Sequence, residues 1–260
     1  MGKLQSEAEY LNGKKHGKIK KYFNRENSDK LRFEGEYFNG KKWNVKQYDK
    51  NGNKVYELKN GNGKIKGYNA NGKIKIITEY KNGEKHGKTK EYNYFGNLLF
   101  EGEYLKGKKH GKVKEYYDNN YNMGDLKFEG EYLNGEKNGT GKEYYNHTKL
   151  RLKYEGEYLN GKKNGKGKYY YENGKLLYDG DYLNGLKWNG KIYDPEGNVT
   201  FIFENGNGKG KIYQKRGALK YEGEYINGKL NGKVKKYQSG NNFSLEFEGE
   251  YFNGKRNGKG

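Results

Sequence analysis

Pairs of carboxylates one residue apart recur along the chain, as at Glu101 and Glu103 or Glu155 and Glu157. Two carboxylates flanking a sugar bond are the equipment of a glycosidase, one holding a proton and the other a charge. Acid–base catalysis, however, needs one singular environment that drives two pKa values apart, and these pairs return in segment after segment. They read as cross-strand structure. His16, His86 and His110 share one phase of the same recurrence. At strand spacing, neighbouring members sit about 10 Å apart, too far for one zinc ion, so they read as turn residues and no metal is expected. Gly83 to Thr89 resembles a phosphate-binding loop, but it has three residues between its glycines where four are required. Gly61 to Gly67 is one residue out from a dinucleotide fingerprint and opens no helix. Zero Cys removes thiol catalysis, disulfides and thiolate metal sites together. No catalytic residue and no cofactor emerge, so the chain is not read as an enzyme.

What remains for chemistry is basic and aromatic. Lys and Arg number 53 against 33 Asp and Glu, a net charge of +20, and only five of the cations are Arg. Ammonium groups neutralise phosphate without the planar fork that reads guanine edges, which argues against nucleic acid as a partner. The pairs Lys14-Lys15, Lys41-Lys42, Lys108-Lys109 and Lys162-Lys163 recur at one phase, so positive charge should collect along one edge. That edge is either a solvated face that keeps the sheet soluble or a binding surface for an anionic phospholipid surface or an acidic protein.

The elements that position these residues follow from a period of about 24 residues. Nine segments align on Tyr10, Tyr37, Tyr80, Tyr104, Tyr132, Tyr158, Tyr182, Tyr225 and Tyr251, and two shortened ones put Leu58 and Phe203 there. In the copy from Phe100 to Tyr117, Phe100, Gly102 and Tyr104 point to one face and Glu101 and Glu103 to the other, the period of two expected of a strand. Gly follows three residues after each anchor Tyr, usually as Asn-Gly, the pair that hairpin turns prefer. Each copy therefore reads strand, tight turn, strand, with Lys112 and Lys114 on the returning strand able to face the Glu row. Only 44 residues are Leu, Ile, Val or Phe, a composition of disorder but for 29 Tyr and the strict repeat. With 42 Gly and one Pro, helices are not expected.

The run Tyr154-Glu155-Gly156-Glu157-Tyr158-Leu159-Asn160-Gly161-Lys162-Lys163-Asn164-Gly165-Lys166-Gly167 resembles the MORN repeat, membrane occupation and recognition nexus, in a divergent variant with Tyr where Trp is frequent. The resemblance recurs in phase over essentially the whole chain. It implies an all-β fold: an elongated, twisted single-layer antiparallel sheet of stacked β-hairpin repeats, with Gly leaving room for the rings of neighbouring copies. Residues 1–260 then form one array of about eleven hairpins, a rod of about 100 Å at two strands per repeat.

A longer period lies inside the array. Residues 42–68 align without a gap on residues 187–213, a six-repeat offset of 145 that pairs Trp43 with Trp188. Each Trp displaces the usual His or Asn and precedes a shortened hairpin. It either fills the space left by the missing residues or offers a docking point for one partner.

The function that follows is a non-catalytic scaffold or tether that binds a protein partner along the repeats and lies on anionic membrane. Two alternatives stand beside it: the interaction module of a lipid kinase or lysine methyltransferase, and an antitoxin-like inhibitor. No run approaches the roughly 20 apolar residues of a membrane-spanning helix, and no secretory leader is evident. The expected location is the cytoplasm or the cytoplasmic face of a membrane. Met1 to Ser6 fits the pattern for myristoylation of Gly2. An uncapped final copy, with Phe247 and Tyr251 short of ring packing, makes a homodimer through the array ends the expected self-association.

Overall fold

The computed structural model describes residues 6–23, 30–69, 72–118, 124–146, 150–238 and 244–258. Every regular element among them is a β-strand. The chain divides into two compact units, Met1–Gly124 with Tyr132–Gly135, and Asp125–Glu131 with Glu136–Gly260. The first holds β1 (Ser6–Leu11), β2 (Lys14–Tyr22), β3 (Leu31–Phe38), β4 (Lys41–Tyr48), β5 (Lys54–Leu58), β6 (Gly63–Tyr68), β7 (Ile74–Lys81), β8 (Glu84–Tyr92), β9 (Leu98–Leu105) and β10 (Lys108–Tyr116). After β11 (Leu126–Leu133), the second holds β12 (Glu136–Tyr144), β13 (Leu152–Leu159), β14 (Lys162–Tyr170), β15 (Leu176–Leu183), β16 (Leu186–Tyr193) and β17 (Val199–Phe203). It continues with β18 (Gly208–Tyr213), β19 (Leu219–Ile226), β20 (Lys229–Tyr237), β21 (Leu245–Phe252) and β22 (Lys255–Asn257).

Strands pair antiparallel with their neighbours in chain order, and the sheets do not close into a barrel. The turns explain the Asn-Gly signal. Asn160 and Gly161 both take positive φ, 49° and 79°, as do Asn12 and Gly13 or Asn184 and Gly185. Two successive positive φ values define the tight turn whose twist matches that of the strands it joins. A further hydrogen bond ties each turn to the hairpin before it: Gly161 N donates to Lys137 O at 2.9 Å and Gly185 N to Lys163 O at 2.8 Å.

In each unit the sheet breaks once, inside a shortened hairpin. Between β5 and β6 only the bridge Lys59–Asn62 survives, and between β17 and β18 only Glu204–Asn207. The shortened copies have two residues fewer between the turn glycine and the next glycine, Gly61 to Gly63 against Gly161 to Gly165. The returning strand therefore leaves before a ladder forms.

One face carries the core. In the second unit Gly141, Gly156, Gly167, Gly180 and Gly190 stand opposite one another in consecutive strands. This trough receives rings: a Cβ on Gly167 would lie 2.5 Å from Tyr154 Oη, and one on Gly141 2.7 Å from the Phe128 ring. Tyr154 meets Tyr158 and Tyr182 edge to face, with centroids 5.4 and 5.5 Å apart, a geometry that contributes about 0.5–1.5 kcal/mol per pair beyond burial. In the first unit Ile19, Gly35, Val45 and Leu58 occupy the corresponding row, and aliphatic groups replace much of the trough.

The opposite face carries the charge ladder. Lys142, Glu155, Lys168, Asp179 and Lys191 oppose one another strand by strand. Closest are Lys90 to Glu101 at 2.9 Å and Lys64 to Glu79 at 3.1 Å, both in the first unit. The recurring carboxylates are thus spent on cross-strand pairs and on the bulge beside each second glycine, where Lys166 N donates to Glu157 at 3.2 Å. Such exposed pairs are worth little singly, but their sign alternation fixes register.

Candidate functional site

Period two divides each lysine pair between the faces. Lys162 stands opposite Leu159 while Lys163 stands opposite Tyr158. Lys14, Lys41, Lys108 and Lys162 are exposed; Lys15, Lys42, Lys109 and Lys163 turn to the aromatic face and are half-buried. Lys163 Nζ lies 3.8 Å from the centre of the Tyr154 ring and 3.2 Å from Glu143. Lys109 lies over Phe100 at 4.6 Å and is paired with Glu115. Lys42 lies 5.2 Å from the Tyr80 ring and Lys15 5.7 Å from the Tyr37 ring. A cation over an aromatic face contributes about 0.5–2 kcal/mol, more where water is excluded. Burial drives Lys42, Lys163 and Lys187 down to about 8 each, with neighbouring lysines adding to the effect. At Lys163 the pull of Glu143 opposes it.

In each unit exposed lysines stand at the hairpin turns, and sequence reasoning missed what accompanies them. Leu11, Phe38, Leu105 and Leu159, one residue after each anchor Tyr, are exposed and stand directly opposite Lys14, Lys41, Lys108 and Lys162. In the second unit Ile226 opposite Lys229 and Phe252 opposite Lys255 repeat the arrangement. Each of these turns presents one apolar and one basic side chain on the face away from the core. The signal was available as the apolar residue that follows eight of the nine anchor tyrosines, Tyr80 with Lys81 being the exception. Of the four edge lysines named from sequence, Lys41 is engaged by Glu84 at 2.8 Å.

Both tryptophans are half-buried. Trp188 rests against Gly206, where a Cβ would come within 2.6 Å of its ring, and Trp43 has the Phe38 ring 6.1 Å away. Their carbonyls accept from the turn glycines of the shortened hairpins, Gly61 N to Trp43 O and Gly206 N to Trp188 O, both 2.8 Å. The histidines stay apart: His86 stands opposite Glu79, His110 opposite Glu103, and His16 Nδ1 accepts from Asn39 N at 3.5 Å. No group of three or more His, Cys, Asp or Glu side chains suited to a metal occurs among the described residues. Gly2 lies outside the described residues.

The first unit also contains a cavity of about 450 Å³ on its aromatic face, lined by Lys42, Gln47, Tyr56, Lys75, Tyr80 and Lys85 among others. A second, of about 270 Å³, adds Lys21 and Arg32 and shares four of those residues.

This combination of repeated hairpins, glycine trough and edge-on rings defines a repeat protein built for contact along its surface. The family model of the MORN repeat matches residues 7–18, 100–120, 128–147, 154–175, 221–233 and 247–260. The chain is a MORN-repeat protein, and its repeats form an interaction module. No curated protein matches it. Among solved structures, it is similar over 92% of its length to a chain in "Crystal Structure of TcdB2-TccC3-Cdc42", at 10% identity and a TM-score of 0.23. It spans only 14% of that chain.

Proposed function

We propose that the chain is a non-catalytic scaffold that docks by its turn edge on an anionic phospholipid surface and leaves its aromatic face to a protein partner. The observation that carries this reading is the exposed apolar–basic pair repeated from turn to turn: Leu11 with Lys14, Leu105 with Lys108, Leu159 with Lys162. Exposed apolar groups that line up by repeat are an unusual use of surface in a soluble sheet. Beside ammonium groups, they suit the boundary between anionic headgroups and acyl chains. Each lysine contributes about 1 kcal/mol near such a surface, so a few turns give weak, salt-sensitive binding without headgroup stereospecificity. The location that goes with this reading is the cytoplasmic face of a membrane.

Vesicle co-sedimentation tests it. The chain should pellet with vesicles containing phosphatidylserine and not with phosphatidylcholine alone, less so as salt rises. Changing Lys14, Lys108 and Lys162 to Glu should abolish pelleting with an unchanged circular dichroism spectrum. Unaltered pelleting of that variant would assign the edge lysines to solubility.

A further inference from the structure

The two adjoining cavities of the first unit form one groove, because both are lined by Lys42, Gln47, Tyr56 and Lys75. It crosses the strands, from Lys21 on β2 to Leu99 on β9. Besides Lys85, four cations line it: Lys21, Arg32, Lys42 and Lys75. None has a carboxylate partner among the described residues; Arg32 donates to Tyr68 O at 3.2 Å. The one acid in the lining, Glu91, is taken by Lys85 at 2.5 Å. Gln47 is only 8% exposed and makes no side-chain hydrogen bond among the described residues. Lys42 is the most enclosed of these cations, held over aromatic rings with no carboxylate beside it, and an ammonium desolvated in that way costs stability that an anionic ligand would offset.

The second unit supplies the control. The row Lys21, Phe33, Gln47 and Tyr56, opposed strand by strand, has its counterpart in Tyr169, Tyr178, Ile192 and Phe201 at matching positions of β14 to β17. Arg32, just before Phe33, corresponds to Leu177, just before Tyr178 and buried. The same backbone thus accepts Tyr for Lys21, Leu for Arg32 and Ile for Gln47. The repeat does not demand the polar groups of the first unit.

We infer that this groove is a receptor for an acidic segment of a partner protein, whose carboxylates meet Lys21, Arg32, Lys42 and Lys75 while its apolar side chains lie on Tyr56, Ile76 and Tyr80. A groove that crosses from β2 to β9 is several times longer than one phosphate group, since each strand step is about 4.8 Å. The groove lies on the ring-bearing face, where Lys42 is half-buried, and not on the protruding turn edge that a flat bilayer reaches. Alternating charge and aromatic contact fits an extended peptide that carries acidic and apolar residues together. The inference rests on the scaffold reading only in leaving the aromatic face to a protein.

The test is fluorescence anisotropy with the full chain in vesicle-free buffer and a labelled twelve-residue peptide of alternating Glu and Leu. Saturable binding is expected, at least tenfold weaker for the same peptide with Gln in place of Glu. Lys42→Gln should weaken it about tenfold. The triple change Lys21→Tyr, Arg32→Leu and Gln47→Ile, which installs side chains the second unit already folds with, should abolish it. Lys187→Gln and the reversal of Lys14, Lys108 and Lys162 should leave it unchanged, so failure of the membrane reading and failure of this one are told apart. Equal affinity for the Gln peptide, or undiminished binding by both groove variants, would overturn the inference. Displacement of the peptide by millimolar inorganic phosphate or by phosphatidylserine vesicles would reassign the groove to a phosphate-bearing ligand and equally overturn it.

Discussion

Lys163 reaches Glu143 across the Tyr154 ring, 3.2 Å from the carboxylate and 3.8 Å from the ring centre, while Lys137 approaches the same carboxylate at 2.9 Å. Burial by itself would raise the pKa of Glu143, but Lys163 and Lys137 outweigh it and bring it down to about 2. A carboxyl whose folded pKa is depressed stabilises the fold above its unfolded pKa, about 4.3, and loses that contribution as pH falls through the folded value. The melting temperature should therefore fall between about pH 4.5 and pH 2. Glu143→Gln should melt lower at pH 7 and show a shallower fall over that window. An identical slope in the variant would remove Glu143 from the acid transition.

Gly167 shows how little room the trough leaves. A Cβ there would sit 2.5 Å from Tyr154 Oη and 2.7 Å from Tyr154 Cε2. Tyr154 is fully buried, and its hydroxyl donates to Glu157 O at 3.1 Å, so the ring has nowhere to move. Gly167→Ala should cost about 1–3 kcal/mol in urea unfolding, as overpacking does. In a Tyr154→Ala background the same change should be nearly neutral. A full cost in both backgrounds would mean the backbone, and not the ring, demands glycine.

One turn departs from the rest. Lys106 takes φ 49° where ten other turns have Asn in that place. The left-handed region costs an ordinary residue about 1–2 kcal/mol, and Asn less because its side chain bonds locally. Lys106→Asn should raise stability by about 0.5–1 kcal/mol, and Asn160→Lys should lower it by a similar amount. Denaturant midpoints that do not move in opposite directions would count against this account of the turns.

The strands, turns and faces were legible because period two and Asn-Gly are local signals. The division of Lys162 from Lys163 was implicit in the same period, yet adjacency in sequence suggested a common edge. The sheet breaks at Leu58 and Phe203 were harder to read: whether a returning strand pairs depends on how far the chain has travelled, and two missing residues decide it. The groove was least legible. Lys21, Arg32 and Gln47 look like ordinary strand residues until Tyr169, Leu177 and Ile192 show what the fold accepts in their places, and that comparison needs the ladder register.

Lys42 and Lys187, equivalent by the 145-residue offset, have pKa values lowered to about 8 by burial, and no carboxylate pairs with either among the described residues. Here the folded state disfavours the charged form, so the penalty is complete below about pH 8 and is relieved as pH rises toward the unfolded value near 10.4. Stability should rise between pH 8 and about 9.5, before tyrosine ionisation in the unfolded chain opposes it. A Lys42→Met, Lys187→Met double variant should lose that rise and be more stable at pH 7. Parallel melting curves for the two proteins from pH 7 to 9.5 would contradict the assignment.

Trp188 is the remaining choice between packing and docking. Its ring approaches Gly206 so closely that a Cβ there would come within 2.6 Å of it, and Gly206 itself has φ 77°. Gly206→Ala therefore carries two costs, backbone strain in the left-handed region and a clash with the indole. Trp188→Ala removes the second cost and leaves the first. If the indole is a packing element that covers the shortened turn, Trp188→Ala alone should lose about 2 kcal/mol or more, and the two changes should be coupled by about 1 kcal/mol in a double-mutant cycle. A Trp188→Ala protein as stable as the parent, with additive changes, would instead free the indole for contact with a partner. Urea unfolding of the parent, the two single variants and the double variant measures both quantities.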